Sequence, residues 1–507
     1  MDHSPVVTTV LKLRRLSPLV FASLTLLSLL LSLGLTTPTQ AQTAPYCQMP
    51  DADVTAKETL RQAALSGDEG AIASYQAILQ DHANQLKDCR SQSSIHEQAM
   101  WIRLYPCDAL PGVLDALLDH IVNKGYNAVY VEAFYNGQVL LPQAENQTPW
   151  PSVIRTPGYE QKDLLAEAIA KGHQRGLKVN AWMFTMNFGY TYSQRSDRQD
   201  ALARNGRGLT SVEMASIASG GTANSEETFI DPYSDIAKQD YYYMAEAIAQ
   251  RNPDGMLFDY VRYPKGAGAD SVASKVSDLW IYGSASQQAL ENRAQNQRGR
   301  ELISRFLDQG YISANDIESV KSLYPQESEP LWEGRSPSSS ATPRSASDLQ
   351  PVLQRELWYL SIAHAFQGVI DFVNLATLAP QRHGITELGT VFFPEGNDVI
   401  GQGFDSRMQP WDRFPSNLER HPMVYAVCGE ADCIMAQIRE VVDASPGITV
   451  KPVLAGIWGK ELDGHPSLEI QMQALRQTFP QIDSVSHFAY SWQEPDIDNQ
   501  RKFCQLR

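Results

Sequence analysis

From residue 100 onward, short apolar segments alternate with stretches of helical hydrophobic periodicity, and this alternation limits the possible folds. The first of these segments are almost continuously apolar, as parallel strands buried on both faces are. Strands that alternate with helices predict βαβ units. Eight strands are predicted, at Met100–Tyr105, Ala128–Phe134, Leu177–Phe184, Gly255–Tyr260, Leu388–Phe393, Met423–Val427, Val450–Ile457 and Ser484–Tyr490.

Eight strands fit a closed barrel better than an open sheet, so we predict an α/β fold, a (β/α)8 TIM-type barrel over residues 96–507. A doubly wound sheet is the alternative. Residues 264–350 form a long insertion after strand 4, expected to be a partly ordered lid over the carboxyl ends of the strands with a disordered tip. Within it, Ser336–Ser347 is a low-complexity loop. Inside it, helices are predicted at Gln288–Leu307 and Ala314–Leu323, the second starting with a capping box of Ser313 and Asp316.

The first 41 residues have the organisation of a signal peptide. Lys12, Arg14 and Arg15 precede an apolar run from Leu19 to Leu35, and small residues end at Ala41, the predicted cleavage site. A retained membrane anchor is the alternative, because the run is close to spanning length. Cleavage predicts a secreted, periplasmic or cell-envelope protein without stable membrane insertion. Residues 42–95 then predict a small helical appendage, a pair of helices broken near Gly67.

The net charge is −16, and residues 1–41 carry +2, so the mature chain carries −18. Such a chain repels phosphate backbones, which excludes nucleic acid as an expected partner. The charge favours neutral or cationic substrates. The sequence gives no indication of the oligomeric state.

All six cysteines follow the signal, which in an oxidising compartment predicts up to three disulfides. The favoured pairs are Cys47–Cys89, Cys107–Cys504 and Cys428–Cys433. Zinc is the alternative, but no paired C-x-x-C spacing supports it. The histidines also lack ligand spacing, so no metal and no cofactor is predicted. The sequence contains no serine-hydrolase elbow, no P-loop and no dinucleotide fingerprint.

The fourth strand ends in a carboxylate, Asp259, which is followed by Tyr260 and Arg262. A charge at the end of a buried strand is costly unless it is paired or used. Asp259 is therefore a candidate nucleophile or a charge that stabilises a sugar cation, with Arg262 lowering its pKa. A purely structural Asp–Arg ion pair is the alternative.

The segment Asp254-Gly-x-x-Phe-Asp259-Tyr-x-Arg262-Tyr263-Pro264 resembles the signature of the glycosyl-hydrolase-like 10 family, which are secreted barrel proteins related to polysaccharide-cleaving glycosidases. Residues 125–132, 176–182 and 229–232 are similar to other segments of that family. The resemblance covers roughly residues 100–300. It implies a glycosidase-like barrel in which Asp259 occupies the nucleophile position of related retaining enzymes. The long 264–350 insertion and Cys428/Cys433 depart from the family pattern.

A glycosidase needs a second carboxyl group as acid/base. Glu395, which follows the fifth strand, is the first candidate, and Glu132, which ends the second strand, is its competitor. Aromatic rings can stack on the apolar faces of sugars. The predicted substrate-binding residues, all near strand exits, are Arg262, Tyr260, Tyr263, Trp182, Trp411 and Trp458.

The sequence therefore predicts a glycoside hydrolase acting on an extracellular or cell-wall polysaccharide. The first alternative is a non-catalytic glycan-binding or envelope-assembly protein on the same barrel, since fold does not imply activity. A metal-dependent deacetylase or esterase is the weaker alternative, because no His/Asp cluster can be assembled from the spacing.

Overall fold

A computed structural model describes residues 45–218, 226–336 and 344–505. The predicted signal peptide, residues 1–41, lies outside the described residues, as do residues 337–343 of the low-complexity segment. The sequence predictions for these residues therefore remain predictions.

The core of the fold is a sheet of eight parallel strands, which confirms the predicted barrel. Neighbouring strands pair in the order β6-β5-β4-β3-β2-β1-β8-β7. Parallel bridges Arg420↔Val450 and Met423↔Val453 then join β6 to β7 and close the sheet on itself. The strands are β1 (Glu97–Ile102), β2 (Ala128–Tyr135), β3 (Lys178–Phe184), β4 (Gly255–Asp259), β5 (Glu387–Phe392), β6 (Glu419–Pro422), β7 (Val453–Ala455) and β8 (Ser484–Phe488).

Helices follow most of these strands and cover the outside of the barrel. Very short strands at Gln138–Val139, Val272–Ala273, Val399–Ile400 and Gly403–Asp405 lie in the connections. The β5–β6 connection carries two of them and two 3-10 turns in the place of an α-helix. The helices are α1 (Asp51–Leu65), α2 (Glu69–Gln92), α3 (Val113–Asn123), α4 (Leu164–Gln174), α5 (Tyr190–Ser193), α6 (Ser211–Ala218), α7 (Asp235–Ala249), α8 (Ser284–Glu291), α9 (Gln297–Gln309), α10 (Ala314–Leu323), α11 (Ala346–Arg382), α12 (Asp432–Ala444), α13 (Leu468–Thr478), α14 (Tyr490–Gln493) and α15 (Pro495–Lys502).

The six cysteines form the three favoured disulfides. Cys47–Cys89 ties the segment before α1 to the end of α2, and Cys107–Cys504 ties the exit of β1 to the end of α15. Cys428–Cys433 closes the short loop before α12. Disulfides of this kind persist in oxidising compartments.

The insertion after β4 carries three helices, α8 to α10. The predicted single helix Gln288–Leu307 is wrong: it divides into α8 and α9, because the Asn296 side chain accepts a hydrogen bond from Gly299 N and starts a new helix. The capping box of Ser313 and Asp316 at α10 is confirmed. Gln354 and Gln350 of α11 hydrogen-bond the backbone of Ile312 at 2.7 and 2.8 Å, which fastens the insertion to α11.

Helix α11 is long and apolar enough to cross a membrane by length and composition, although 61% of its qualifying stretch is buried inside the protein. It packs along α7 and contacts β4. The core helix of a globular protein meets the same criteria, and the burial of α11 fits that interpretation.

The sixth strand is Glu419–Pro422, four residues before the predicted Met423–Val427. The sequence prediction missed the start of this strand because it relied on apolar residues, and Glu419 and His421 are polar although His421 is fully buried.

Polar residues can be buried here because charged residues at the starts of five strands form an ion network. Lys178 binds Glu97 and Glu387 at 3.1 and 2.9 Å, and Lys451 binds Glu97 and Glu419, both at 3.1 Å.

Replacing Lys57 by methionine should stabilise the fold. Lys57 of α1 is 1% exposed, and its Nζ has no hydrogen-bond partner within the described ranges. Burial, reinforced by the charge of Arg175 and opposed by that of Asp119, lowers its pKa to about 8. We expect Lys57→Met to raise the free energy of unfolding at pH 7 by about 1–3 kcal/mol in urea titrations.

The stability gained by Lys57→Met should decrease as the pH rises. The unfolded chain holds the Lys57 proton up to its ordinary pKa near 10.5, whereas the folded wild type releases it from about 8 upward. The advantage of Lys57→Met should therefore be complete below pH 8 and shrink between pH 8 and 10. Lys87→Met, at an exposed position of α2, is the control. A variant that is less stable than wild type at pH 7 would contradict the prediction.

Candidate functional site

Asp259 lies at the carboxyl end of β4, where the loops of a parallel barrel build their sites. The residue is 6% exposed. Trp182 of β3 donates its indole N–H to Asp259 Oδ2 at 3.1 Å, and the backbone N–H of Tyr260 donates to Oδ1 at 2.6 Å. Each carboxylate oxygen therefore has a fixed donor, which defines the orientation of the group.

Burial raises the pKa of Asp259 to about 6. The hydrogen bond from Tyr260 N, the charge of Arg262 and the hydrogen bond from Trp182 lower it, in that order, and the charge of Glu227 raises it. Arg262 therefore acts on Asp259 in the expected direction, but desolvation is the larger effect. A carboxyl group that titrates near neutral pH can change its charge during a reaction.

Arg262 does not form the ion pair that the sequence left open. Its guanidinium lies 4.5 Å from the centre of the Tyr260 ring and 5.4 Å from that of Phe229, and it donates to Tyr263 O at 3.0 Å. Across residues 226–336, no ion pair joins it to Asp259. Arg262 is thus a buried cation on aromatic faces that supports the loop carrying Tyr260.

Tyr260 adopts a backbone φ of +53°, which residues other than glycine rarely adopt. Its ring contacts Phe184 with a centroid distance of 4.2 Å, and its hydroxyl donates to Glu227 Oε1 at 3.0 Å. Such strain persists where the surroundings hold it, often at functional sites. Tyr260 connects the two carboxylates, because its backbone N–H donates to Asp259 and its hydroxyl donates to Glu227.

Glu227 is a site residue that the sequence analysis missed. It is half-buried in the segment before α7 and lies close enough to Asp259 to raise the pKa of that residue. The following residues fix the segment, since Thr228 N donates to Asn187 Oδ1 at 2.9 Å. A glutamate in a polar loop has no hydrophobic periodicity that could mark it as functional. The available signal was its position next to residues 229–232, which are similar to a segment of the glycosyl-hydrolase-like 10 family.

Glu132 lies in β2 and is completely buried. Both of its oxygens accept hydrogen bonds from Arg103 of the β1 exit, one of them at 3.1 Å. Burial raises the pKa of Glu132 to about 7 against the lowering effect of Arg103, and the charge of Asp259 adds to the increase. Glu132 and Asp259 are therefore electrostatically coupled within one site.

Glu395 follows β5, as predicted, and is paired with other groups. Its carboxylate contacts Arg407 at 3.3 Å and accepts a weak hydrogen bond from Gln437 at 3.4 Å. Its charge raises the pKa values of Asp398 and Glu440, after burial, which is the larger cause for both. Glu395 thus belongs to an acidic group on the β5–β6 and α12 side of the mouth.

The predicted aromatic residues have different environments. Trp182 is buried in the lumen, with its ring centre 4.8 Å from that of Trp101. Trp411 stacks on Phe392 at 5.0 Å and donates to Pro394 O, and Tyr263 is fully buried. Trp458 packs against Tyr46 and donates to the Tyr126 hydroxyl at 3.1 Å. Of these residues, the structure joins Trp182 directly to Asp259.

Within the described part of the chain, no group of three or more His, Cys, Asp or Glu side chains is arranged to hold a metal ion. A groove of about 390 Å³ lies between α2 and the amino ends of the barrel strands, lined in part by His96, Asn127 and Gly176. This groove is at the opposite end of the barrel from Asp259. The carboxyl-end carboxylates are therefore the stronger candidate for chemistry.

Residues 113–314 match the family model of glycosyl hydrolase-like 10. The match extends from α3 to the start of α10 and includes Asp259, Arg262 and Glu227. No curated protein matches the sequence.

Solved structures give weak similarities. A hypothetical protein from Ruminiclostridium thermocellum is 16% identical over 32% of this chain and 77% of that one, with a TM-score of 0.24. A glycoside hydrolase family 20 β-N-acetylglucosaminidase is 9% identical over 81% and 67%, with a TM-score of 0.40. A β-galactosidase from Marinomonas ef1 is 12% identical over 80% and 58%, with a TM-score of 0.43. Identities this low do not transfer a substrate.

The effect of the buried Asp259 charge on the free energy of unfolding should be measurable without a ligand. Because burial raises the pKa from 3.8 to about 6, the folded wild type loses stability relative to an uncharged variant as the pH rises through this interval. The free energy of unfolding of Asp259→Asn minus that of wild type should therefore grow by about 3 kcal/mol between pH 4 and 7. Any change in stability that comes from the asparagine amide itself is the same at every pH, and such a change does not alter the dependence of the difference on pH.

Urea titrations at several pH values measure this difference. Asp308→Asn, at an exposed position of α9, controls for the loss of a surface carboxylate. A difference that stays flat or falls with rising pH would show that burial does not dominate at Asp259.

Proposed function

We propose that this protein is a glycoside hydrolase that acts on an extracellular or cell-wall polysaccharide. The observation that carries the proposal is the buried carboxylate Asp259 at the carboxyl end of β4, held by Trp182 and the backbone of Tyr260, with Glu227 bound to the Tyr260 hydroxyl. Glycoside hydrolysis uses a pair of carboxyl groups in different protonation states. The match to the glycosyl hydrolase-like family supports the same reaction class.

Asp259 is the group that is charged in the reaction. The donors Trp182 Nε1 and Tyr260 N both favour its ionised form, and they hold it in one orientation. A fixed carboxylate in a water-poor site stabilises an adjacent oxocarbenium ion strongly. Asp259 therefore acts as the nucleophile or as the charge that stabilises the sugar cation.

Glu227 is the acid/base in this proposal. It is partly exposed, so a glycosidic oxygen can reach it, and the Tyr260 hydroxyl orients it. Glu132 has a positioning role, because it is fully buried and Arg103 occupies both of its oxygens. Glu395, the first candidate from the sequence, is paired with Arg407 and Gln437.

The proposed location is outside the cytoplasm. Three disulfides and the predicted signal peptide support export, and hydrolysis by two carboxyl groups requires no cofactor. The charge of −16 favours a neutral or cationic glycan. Nucleic acid and stable membrane insertion are not part of the proposal.

The test is a polysaccharide panel with the mature protein and three variants, scored by the release of reducing ends. Asp259→Asn should lower turnover by about 1,000-fold or more, and Glu227→Gln by about 100- to 10,000-fold, because proton transfer contributes that range. Glu395→Gln should keep turnover within about threefold of wild type, since its carboxylate is engaged elsewhere. Circular dichroism confirms folding of each variant.

Each result has a defined interpretation. Wild-type turnover by Asp259→Asn would disprove the role of Asp259. Loss of activity in Glu395→Gln, with Glu227→Gln unaffected, would make Glu395 the acid/base. Binding of a glycan by the wild type without any product would favour the non-catalytic glycan-binding protein.

A further inference from the structure

Four aromatic side chains form a connected row on the side of the barrel mouth that β5, β6 and β8 supply. We call Phe393, Tyr425, Phe488 and Trp492 the aromatic arc. The ring centres of Tyr425 lie 6.4 Å from Phe393 and 5.9 Å from Phe488, and those of Phe488 and Trp492 are 5.7 Å apart. All four side chains are partly exposed, which is unusual for a row of large aromatic rings.

The arc is connected to Asp259 through the lumen. Phe488 contacts Trp182 with a centroid distance of 6.2 Å, and Trp182 donates to Asp259. The charge of Asp259 also acts on the Tyr425 phenol, whose pKa burial and this charge raise. The arc and Asp259 are therefore parts of one site.

Tyr425 is oriented in an unexpected way. A tyrosine at a surface usually buries its ring and exposes its hydroxyl. Here part of the residue is exposed, whereas its hydroxyl oxygen is buried and has no hydrogen-bond partner across residues 45–218, 226–336 and 344–505. A buried hydroxyl without a partner destabilises the protein, and such groups require an explanation.

We propose that the aromatic arc is the binding subsite for a neutral sugar ring next to Asp259, and that the Tyr425 side chain turns on binding so that its hydroxyl, buried without a partner among the described residues of the free protein, contacts an oxygen of this sugar. The inference rests on the proposed function and adds the substrate class. Pyranose rings combine an apolar C–H face with ring hydroxyls, and the arc offers aromatic faces with one hydroxyl. None of the four side chains is charged, and the guanidinium over Phe393, that of Arg407, is paired with Asp405 and Glu395, which favours a neutral sugar over an anionic one.

The chain offers a matched control for Tyr425. The Tyr490 hydroxyl is also buried without a partner among the described residues, but this residue is only 2% exposed and its ring packs against His120 and the Arg501 guanidinium. Both Tyr425→Phe and Tyr490→Phe remove a hydroxyl without a partner. Both should therefore melt at or above the wild-type temperature.

The two Tyr→Phe variants should differ in their affinity for sugars. The probes are cellotetraose, xylotetraose, chitotetraose and, as the anionic comparison, tetragalacturonate, titrated by calorimetry into Asp259→Asn to prevent turnover. We expect at least one neutral probe to bind more tightly than tetragalacturonate. Adding Tyr425→Phe should weaken binding of that probe about 3- to 10-fold, and Trp492→Ala about 10-fold or more, whereas Tyr490→Phe should have no effect.

The outcomes distinguish this inference from the proposed function. Binding that depends on Tyr425 and Trp492 without any turnover by the wild type would retain the subsite and reject the hydrolase. Equal binding by Tyr425→Phe and its parent, preference for tetragalacturonate, or no binding of any neutral probe would overturn the subsite. A melting temperature of Tyr425→Phe well below wild type would show that its hydroxyl has a partner in the free protein.

Discussion

Two lysines hold together the amino ends of five barrel strands, and the rest of the site depends on this ion network. Lys178 joins Glu97 of β1 to Glu387 of β5, and Lys451 joins Glu97 to Glu419 of β6. Buried and half-buried charges of this kind are tolerated only when they are paired. The pairing requires the strands to lie in their closed order, so the network favours the closed barrel and fills its lower end with side chains. The closed barrel in turn brings Asp259 and the other side chains of the strand exits to one mouth.

The carboxyl end contains several features that do not favour stability. Asp259 is ionisable and buried, Tyr260 has a positive φ, and the Tyr425 hydroxyl has no partner within the described ranges. Each feature costs about 1–3 kcal/mol in a typical fold. Buried polar atoms without a hydrogen-bond partner also occur elsewhere among the described residues, as at Lys57 and Gln98. What distinguishes the carboxyl end is the combination, because an ionisable buried carboxylate, a tyrosine with a positive φ and a hydroxyl unpaired among these residues lie at one mouth. This combination is an argument for function that does not depend on similarity to other proteins.

The sequence predicted the features that repeat or that lie close together along the chain. Buried strands such as Ala128–Phe134 have a clear apolar pattern, and the exit of β4 showed Asp259 directly. It failed where polar residues are buried by tertiary pairing, as for Glu419 and His421 of β6. It could not rank the carboxylates or the aromatic residues, because Trp411 and Trp458 look like Trp492 until their packing is known. Glu227 and Tyr425 come from different loops, and only the closed barrel brings them to the same mouth as Asp259.

We infer that the two sides of the barrel mouth have different roles in the proposed enzyme, chemistry on one side and sugar binding on the other. The carboxylates lie on the β2 and β4 side, where the charge of Asp259 acts on Glu132, the charge of Glu227 acts on Asp259, and Arg103 binds Glu132. The aromatic arc lies on the β5 to β8 side. A polyanionic chain would meet the carboxylates on one side, and the Arg407 guanidinium, which lies over one ring of the arc, is already paired with two carboxylates. The net charge of the protein, −16, adds to the repulsion. In the proposed enzyme a neutral ring stacks on the arc and presents its glycosidic oxygen to the carboxylates, so the arrangement of charges favours a neutral ligand.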